Sequence, residues 1–370
     1  CVISAFTQER EQAFSRRAAD WEKKIAELSP DRVYLDAQCA LRTALYHKLE
    51  IPVVLVETMP LSLYDPWVPP FTSGLIPKQT GISRLGIRLA WEKIVIARKI
   101  RNLFFSMLLC RQDYFSLYKR LFLECGFPFE EKIDWRRPFI IGIKESKILS
   151  MNPSSLDFPR KYPPNCQYAP SRVDLNREDP MLNRRYARVM EEVCLQKQQR
   201  PDTKIIYCFS STVMGFEKRS KIIFMKIRDI CLRNPQFVFI LSVGKYHNTS
   251  YLLPCPSNLY VFQQVPQLHL LSYCDLMITS GGMNSIAECI EKEVPMLVCP
   301  LSLKSDQLGN SARVVYHGLG LRARIKLDSS RTIEKRIVQL FENYATFKRN
   351  LSMMRTKILA ESTAINTEVI

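Results

Sequence analysis

The stretch that most limits what this chain can fold into runs from Leu276 to Val298. Leu276-Met277-Ile278 is apolar and too brief for a helix, which suits a buried parallel strand. Gly281 and Gly282 follow, and between a strand and a helix such residues let the backbone turn sharply and approach a ligand closely. Ile286-Ala287-Glu288-Cys289-Ile290 then alternates with helical period. Free amides at the start of that helix, at its positive dipole end, suit a phosphate. Pro295 to Val298 reads as the next strand, and Asp306-Gln307-Leu308-Gly309-Asn310 as a polar loop after it. Strand, glycine turn, helix, strand and polar loop together make one half of a nucleotide site.

The residues themselves carry a resemblance. Asp275 to Glu288, with Thr279-Ser280-Gly281-Gly282-Met283-Asn284-Ser285 at its centre, resembles the donor-binding signature of the UDP-glycosyltransferase superfamily. The likeness extends upstream to Val265-Pro266-Gln267-Leu268 and downstream to Val294-Pro295-Met296, Asp306-Gln307, Asn310 and Ala312-Arg313-Val314. Several sub-motifs in the right order over some fifty residues are far more specific than a lone glycine pair.

The resemblance implies a GT-B fold: α/β, two facing doubly wound Rossmann-like domains with a ligand cleft between them. It implies an inverting transfer of a hexose from a UDP-sugar to a hydroxyl of an apolar small molecule or lipid, with the UDP-sugar as co-substrate and no cofactor. A non-catalytic nucleotide-sugar-binding protein of the same fold is the alternative. The amides of Gly282, Met283 and Asn284, with the side chains of Asn284 and Ser285, would hold the diphosphate. Glu288 lies four residues after Asn284 on the same helical side, and the matching family glutamate accepts the ribose hydroxyls. Gln267, beside Val265, matches a residue near base and ribose. Asp306 and Gln307 match a pair that binds the donor sugar.

Three departures qualify that implication. Ser280 stands where the family has a histidine before the two glycines. Ser211, followed by Thr212, stands where a glycine usually ends the first strand of the donor domain. Gln264 occupies a slot often held by a base-stacking tryptophan. The family's acceptor-activating histidine lies early in the first domain, in a region expected to precede Cys1. None of His47, His247, His269 and His317 matches its position.

Length and composition bound the rest. The 370 residues suffice for two domains, and 46 % apolar with 24 % charged residues is a globular balance. By pattern, residues 1–168 form an acceptor-binding domain lacking its start, 169–200 a linker with a helix, and 201–370 the donor-binding domain. Leu156-Asp157-Phe158-Pro159 and Tyr168-Ala169-Pro170 fall near the end of the first. No run of eighteen apolar residues predicts a membrane span. The twelve cysteines contain no CxxC, and the closest pair is Cys289 and Cys299. That spacing supports no metal site and suits free thiols in a reducing, cytoplasmic compartment. The net charge of +17 is dispersed and comes without a nucleic-acid motif, so no nucleic-acid partner is expected.

Two stretches keep alternatives open. Residues 60–80 hold five prolines with Tyr64, Trp67 and Phe71, and read either as an aromatic wall for an acceptor or as rigid surface packing. Residues 83–123 read as one long helical stretch carrying Arg88, Lys93, Arg98, Lys99, Arg101 and Arg111. Such a helix either packs by one face on its domain or lies on an anionic membrane as a peripheral contact.

Overall fold

The computed structural model describes residues 2–138, 142–161, 163–170, 173–177, 183–209, 217–244 and 248–363. The chain divides into two units: residues 1–70, 77–153 and 158–170, and residues 71–76, 154–157 and 171–370. The short pieces 71–76 and 154–157 thus belong to the second unit, although their sequence neighbours lie in the first.

The first unit runs through α1 (Val2–Leu28), β1 (Val33–Asp36), α2 (Thr43–Lys48), β2 (Val53–Glu57), α3 (Gly81–Leu108), α4 (Tyr114–Glu124) and α5 (Phe129–Lys132). It continues with β3 (Ile133–Asp134), β4 (Gly142–Ile143), β5 (Lys147–Ser150) and β6 (Cys166–Tyr168). Four strands pair in parallel in the order β1-β2-β5-β6, and β3 with β4 forms a small antiparallel pair. Leu55, Ala40, Leu61 and Ile148 make the core at the sheet, and a second cluster gathers Ala44, Phe122, Phe129 and Ile133.

The stretch 83–123 is two helices, not one. Arg111 N–H reaches back to Ser106 O at 2.7 Å, and both Cys110 and Arg111 have positive φ. Asp113 then starts α4 by accepting from the amides of Phe115 and Ser116. An aspartate N-cap of this kind is a start signal that the run of apolar and basic residues concealed.

Arg98 is a second correction to the reading of that stretch. It is not a surface cation: it is buried, and its guanidinium donates to the carbonyls of Trp135 (2.7 Å) and Arg137 (2.5 Å). Burial lowers its pKa to about 10. Nearby, Arg137 and Glu57 form a buried pair at 3.0 Å, and Ser62 donates to Glu57 through both its amide and its hydroxyl.

The second unit contains α6 (Arg184–Gln199), β7 (Lys204–Phe209), α7 (Glu217–Arg233), β8 (Phe237–Ser242), β9 (Leu259–Phe262), α8 (Gln267–Leu271) and β10 (Leu276–Thr279). Then come α9 (Met283–Glu291), β11 (Met296–Val298), α10 (Gln307–Tyr316), β12 (Gly320–Arg322), α11 (Ser330–Glu342) and α12 (Tyr344–Thr363). Among the described residues six strands pair in parallel, in the order β12-β11-β10-β7-β8-β9. This is the doubly wound order, whose direction reverses between β7 and β10.

Alternation along the strands explains why the sheet is covered on both faces. Ile205, Tyr207, Val238, Ile240, Met277 and Val298 face one apolar layer with Val193, Ile286 and Leu351. Ile206, Phe239, Leu241, Ile278 and Leu297 face the other, with Phe224, Ile227 and Ile337. Strands buried on both sides read as continuous apolar runs, as these do. Asp275 fastens the sheet's lower edge by accepting from Lys197 Nζ and from the Ile205 amide.

The expected polar loop at 306–310 is the first turn of α10. Its polar residues are the helix's buried face, since Gln307, Asn310, Ser311 and Arg313 are all buried. Gly309 sits inside this helix because the Phe71 backbone packs on it: a Cβ there would lie 2.0 Å from the Phe71 carbonyl oxygen. Phe71 is itself buried. Trp67 is half exposed, with the Arg84 guanidinium over its ring, and Arg136 covers Tyr64 in the same way. Among the described residues no helix is long and apolar enough to cross a membrane.

Candidate donor site

The site is assembled where the sheet order reverses. Strand β10 ends at Thr279, and the chain turns through buried Ser280 and Gly281 into α9. Gly281 has φ +88°, and an added Cβ would lie 2.7 Å from Val298 Cγ1, so the turn requires glycine twice over. Gly282 is the N-cap of α9 and brings no side-chain cap. The first amides of the helix, at Met283, Asn284 and Ser285, are therefore left for another acceptor. Asn284 is exposed, whereas Ser285 is buried.

One turn further along α9, Glu288 is buried and accepts hydrogen bonds from two side chains. Gln267 Nε2 donates to Glu288 Oε2 at 2.7 Å and lies 3.4 Å from Ser285 Oγ. The Tyr207 hydroxyl donates to Gln267 Oε1 at 3.1 Å, which fixes the orientation of that amide. Arg177 Nη1 donates to Glu288 Oε1 at 3.1 Å. Val265 is buried in the apolar core.

At the other side of the glycine turn, Asn310 Nδ2 donates to Gly281 O and to Asp306 Oδ2, both at 2.8 Å. This buried amide ties the turn to the start of α10. Burial raises the Asp306 pKa, with the Asn310 hydrogen bond opposing it. Gln307 is committed through Oε1, which accepts from the amides of Leu301 (2.8 Å) and Ser302 (2.9 Å).

The structure thus brings together Gln267, Ser280, Gly281, Gly282, Met283, Asn284, Ser285, Glu288, Asp306 and Gln307 around two strand ends. Ser211 and Thr212 lie outside the described residues. Sequence reasoning missed Tyr207 and Arg177. Tyr207 left a faint signal, a polar-tipped side chain in an apolar strand; Arg177 left none, because it reaches Glu288 across 111 residues of sequence. Among the described residues no group of His, Cys, Asp and Glu side chains could hold a metal ion.

The described histidines have other engagements. His47 packs edge-on against Phe127, and the His269 ring lies 2.9 Å from the Tyr186 hydroxyl. His317 Nε2 donates to the carbonyls of Leu156 and Asp157, both at 3.1 Å, which requires its proton on that nitrogen. His247 lies outside the described residues.

Burial holds the His317 pKa below 6.5. In the unfolded chain the ring gains a proton as pH falls below about 6.5, while in the folded chain it resists protonation. The stability it contributes is present above that pH and is lost as pH falls through its folded value. Urea melts between pH 7 and 5 should therefore show declining stability, with a shallower decline in His317→Gln. Identical slopes for the two proteins would refute this account.

Comparison with known proteins meets this geometry directly. Residues 248–360, which hold most of the site, match the family described as UDP-glucoronosyl and UDP-glucosyl transferase. Over these residues the chain is similar to members of that family.

It is 37 % identical over 98 residues to NDP-glycosyltransferase YjiC of Bacillus subtilis, a match that covers 26 % of this chain and 24 % of that protein. It is 34 % identical over 101 residues to the zeaxanthin glucosyltransferase of Pantoea ananas, covering 27 % and 22 %. The chain spans about a quarter of the length of these curated relatives. In three dimensions it is similar to the kitacinnamycin glycotransferase, with a TM-score of 0.61 and 18 % identity, covering 95 % of this chain and 79 % of that one. That likeness is one of fold: α/β with parallel sheets, as in GT-B glycosyltransferase structures.

Proposed function

We propose that this chain transfers a hexose from a UDP-sugar to a hydroxyl of an apolar acceptor, with inversion at the sugar carbon. The observation that carries this reading is the uncapped start of α9 beside the Gln267–Glu288 pair. A nucleoside diphosphate has a vicinal diol at one end and concentrated negative charge at the other. Glu288 is an acceptor for the diol, and Gln267, oriented by Tyr207, adds an amide near the base. The amides of Met283, Asn284 and Ser285 meet the phosphates at the positive end of the helix dipole.

In the transfer, the acceptor oxygen forms a bond to the sugar carbon as the bond from that carbon to the diphosphate oxygen breaks. The bonding pair leaves on the diphosphate, and the acceptor proton passes to a base. Preorganised amides stabilise the charge that develops on the leaving oxygen, each worth about 3 kcal/mol when such a donor is removed. Asp306, with the amide end of Gln307, is the group for the sugar hydroxyls. An apolar acceptor is supported by the relative whose name specifies zeaxanthin. A cytoplasmic, reducing setting is supported by free buried thiols such as Cys208 and Cys289, whose pKa burial raises.

Calorimetric titration with UDP, ADP and dTDP tests the donor assignment. Saturable binding that favours UDP is the expected result. No binding of any nucleotide by the folded chain would overturn it. Binding of UDP without consumption of a UDP-hexose in the presence of apolar alcohols would favour a nucleotide-sugar-binding protein instead.

A further inference from the structure

The first unit carries an apolar face that nothing in the donor chemistry uses. Helix α3 packs through Ile87, Trp91 and Arg98, and the Trp91 indole donates to Val68 O at 2.9 Å. On the opposite side Leu85, Leu89, Ile96, Ile100, Leu103 and Met107 are all exposed, Met107 by 66 %. Their spacings of four, seven, four, three and four residues place them within about 40° of a single line on the helix. Ile82, at 87 % exposure, extends this ridge to the start of the helix. From Ile82 to Met107 it is roughly 37 Å long.

Cations border the ridge on both sides. Arg88 and Lys99 project along one flank and Lys93 along the other, and all three are exposed. The helix has one carboxylate, Glu92, and that is paired with Arg136. At the carboxyl end of the ridge the surface dips into a groove of about 690 Å³ between α3 and α4. Lys99, Arg111, Lys119 and Arg120 line it together with Leu103 and Trp135, so the ridge and the groove share a wall. Lys99 Nζ lies over the Trp135 ring, 5.8 Å from its centre.

We propose that this face docks on an anionic lipid membrane, with the ridge in the acyl boundary and lipid phosphates in the groove. An apolar stripe flanked by long cationic side chains suits that boundary, since the stems lie along apolar surface while the charges stay at headgroup level. Charge complementarity decides against a second copy of the chain, which would bring the same rows of cations together. The inference is independent of the donor site, because every residue in it belongs to the first unit.

Co-sedimentation with vesicles of phosphatidylcholine alone, or with about a third phosphatidylserine, tests it. The chain pellets with the anionic vesicles only, and less as salt rises. Lys99→Gln with Arg111→Gln lowers the partition about fivefold per cation, roughly 25-fold for the pair. Ile96→Ser with Ile100→Ser lowers it by about tenfold or more. All four side chains are surface-exposed, and an unchanged thermal melt verifies folding. No pelleting with anionic vesicles overturns the proposal, as does pelleting that both double variants leave intact. Light scattering that finds a dimer, made monomeric by Ile96→Ser with Ile100→Ser, overturns it in favour of self-association.

Discussion

Replacing Glu288 with alanine is expected to weaken UDP binding about a hundredfold. Hydrogen bonds to a charged acceptor are worth roughly 1.5–3 kcal/mol each, and a ribose diol offers two donors to this carboxylate. Glu288 is buried and held from two directions, by Gln267 at 2.7 Å and Arg177 at 3.1 Å, so it waits in place and needs little ordering on binding. Glu288→Gln keeps the shape and one acceptor oxygen, and should lose only about tenfold. Calorimetry on both variants checks the order. Alanine binding UDP as tightly as the parent protein would remove Glu288 from the site, whatever else binds there.

The second large effect concerns stability. Arg313 lies in α10 with its guanidinium on Asp157 Oδ1, at 3.0 Å through Nε and 2.5 Å through Nη2, and on Gly309 O at 3.2 Å. Both side chains are buried. Replacing Arg313 with methionine keeps the apolar volume and removes the charge that neutralises a buried carboxylate. Breaking a buried pair from one side typically costs about 3–5 kcal/mol, and that loss is expected in urea unfolding followed by intrinsic fluorescence. Arg313→Met with Asp157→Leu should recover most of the loss, because removing both charges also removes the desolvation they required. A single variant as stable as the parent would show that the pair contributes nothing. The result also bears on segment 154–157, whose amides at Ser154 and Ser155 both donate to the Glu361 carboxylate at 2.8 Å.

Much of the second unit was legible in the residues. Long apolar runs such as Lys204–Phe209 and Phe237–Ser242 suit buried parallel strands, and the glycine pair after Thr279 suits a turn. The errors share a cause. Residues 306–310 read as a loop because polar residues ordinarily face water, yet here Gln307, Asn310 and Arg313 point inward and bond to backbone or carboxylate partners. Arg98 read as a surface cation for the same reason, and it is the carbonyls of Trp135 and Arg137 that make its burial tolerable. The break at Cys110 and Arg111 was hidden because the apolar and basic composition continues across it, while Asp113 ends the ambiguity only once its hydrogen bonds are seen.

By itself the sequence determined the apolar strands β7, β8 and β10 and the glycine turn that follows β10, since these depend on local residue type and period. Only the tertiary structure decided which atoms those residues offer. Gln267 is oriented by Tyr207 from a neighbouring strand, Glu288 is met by Arg177, and Gln307 spends its carbonyl oxygen on the 301–302 backbone. These partners are distant in sequence, and a hydrogen bond depends on distance and direction in space, which no spacing along the chain encodes.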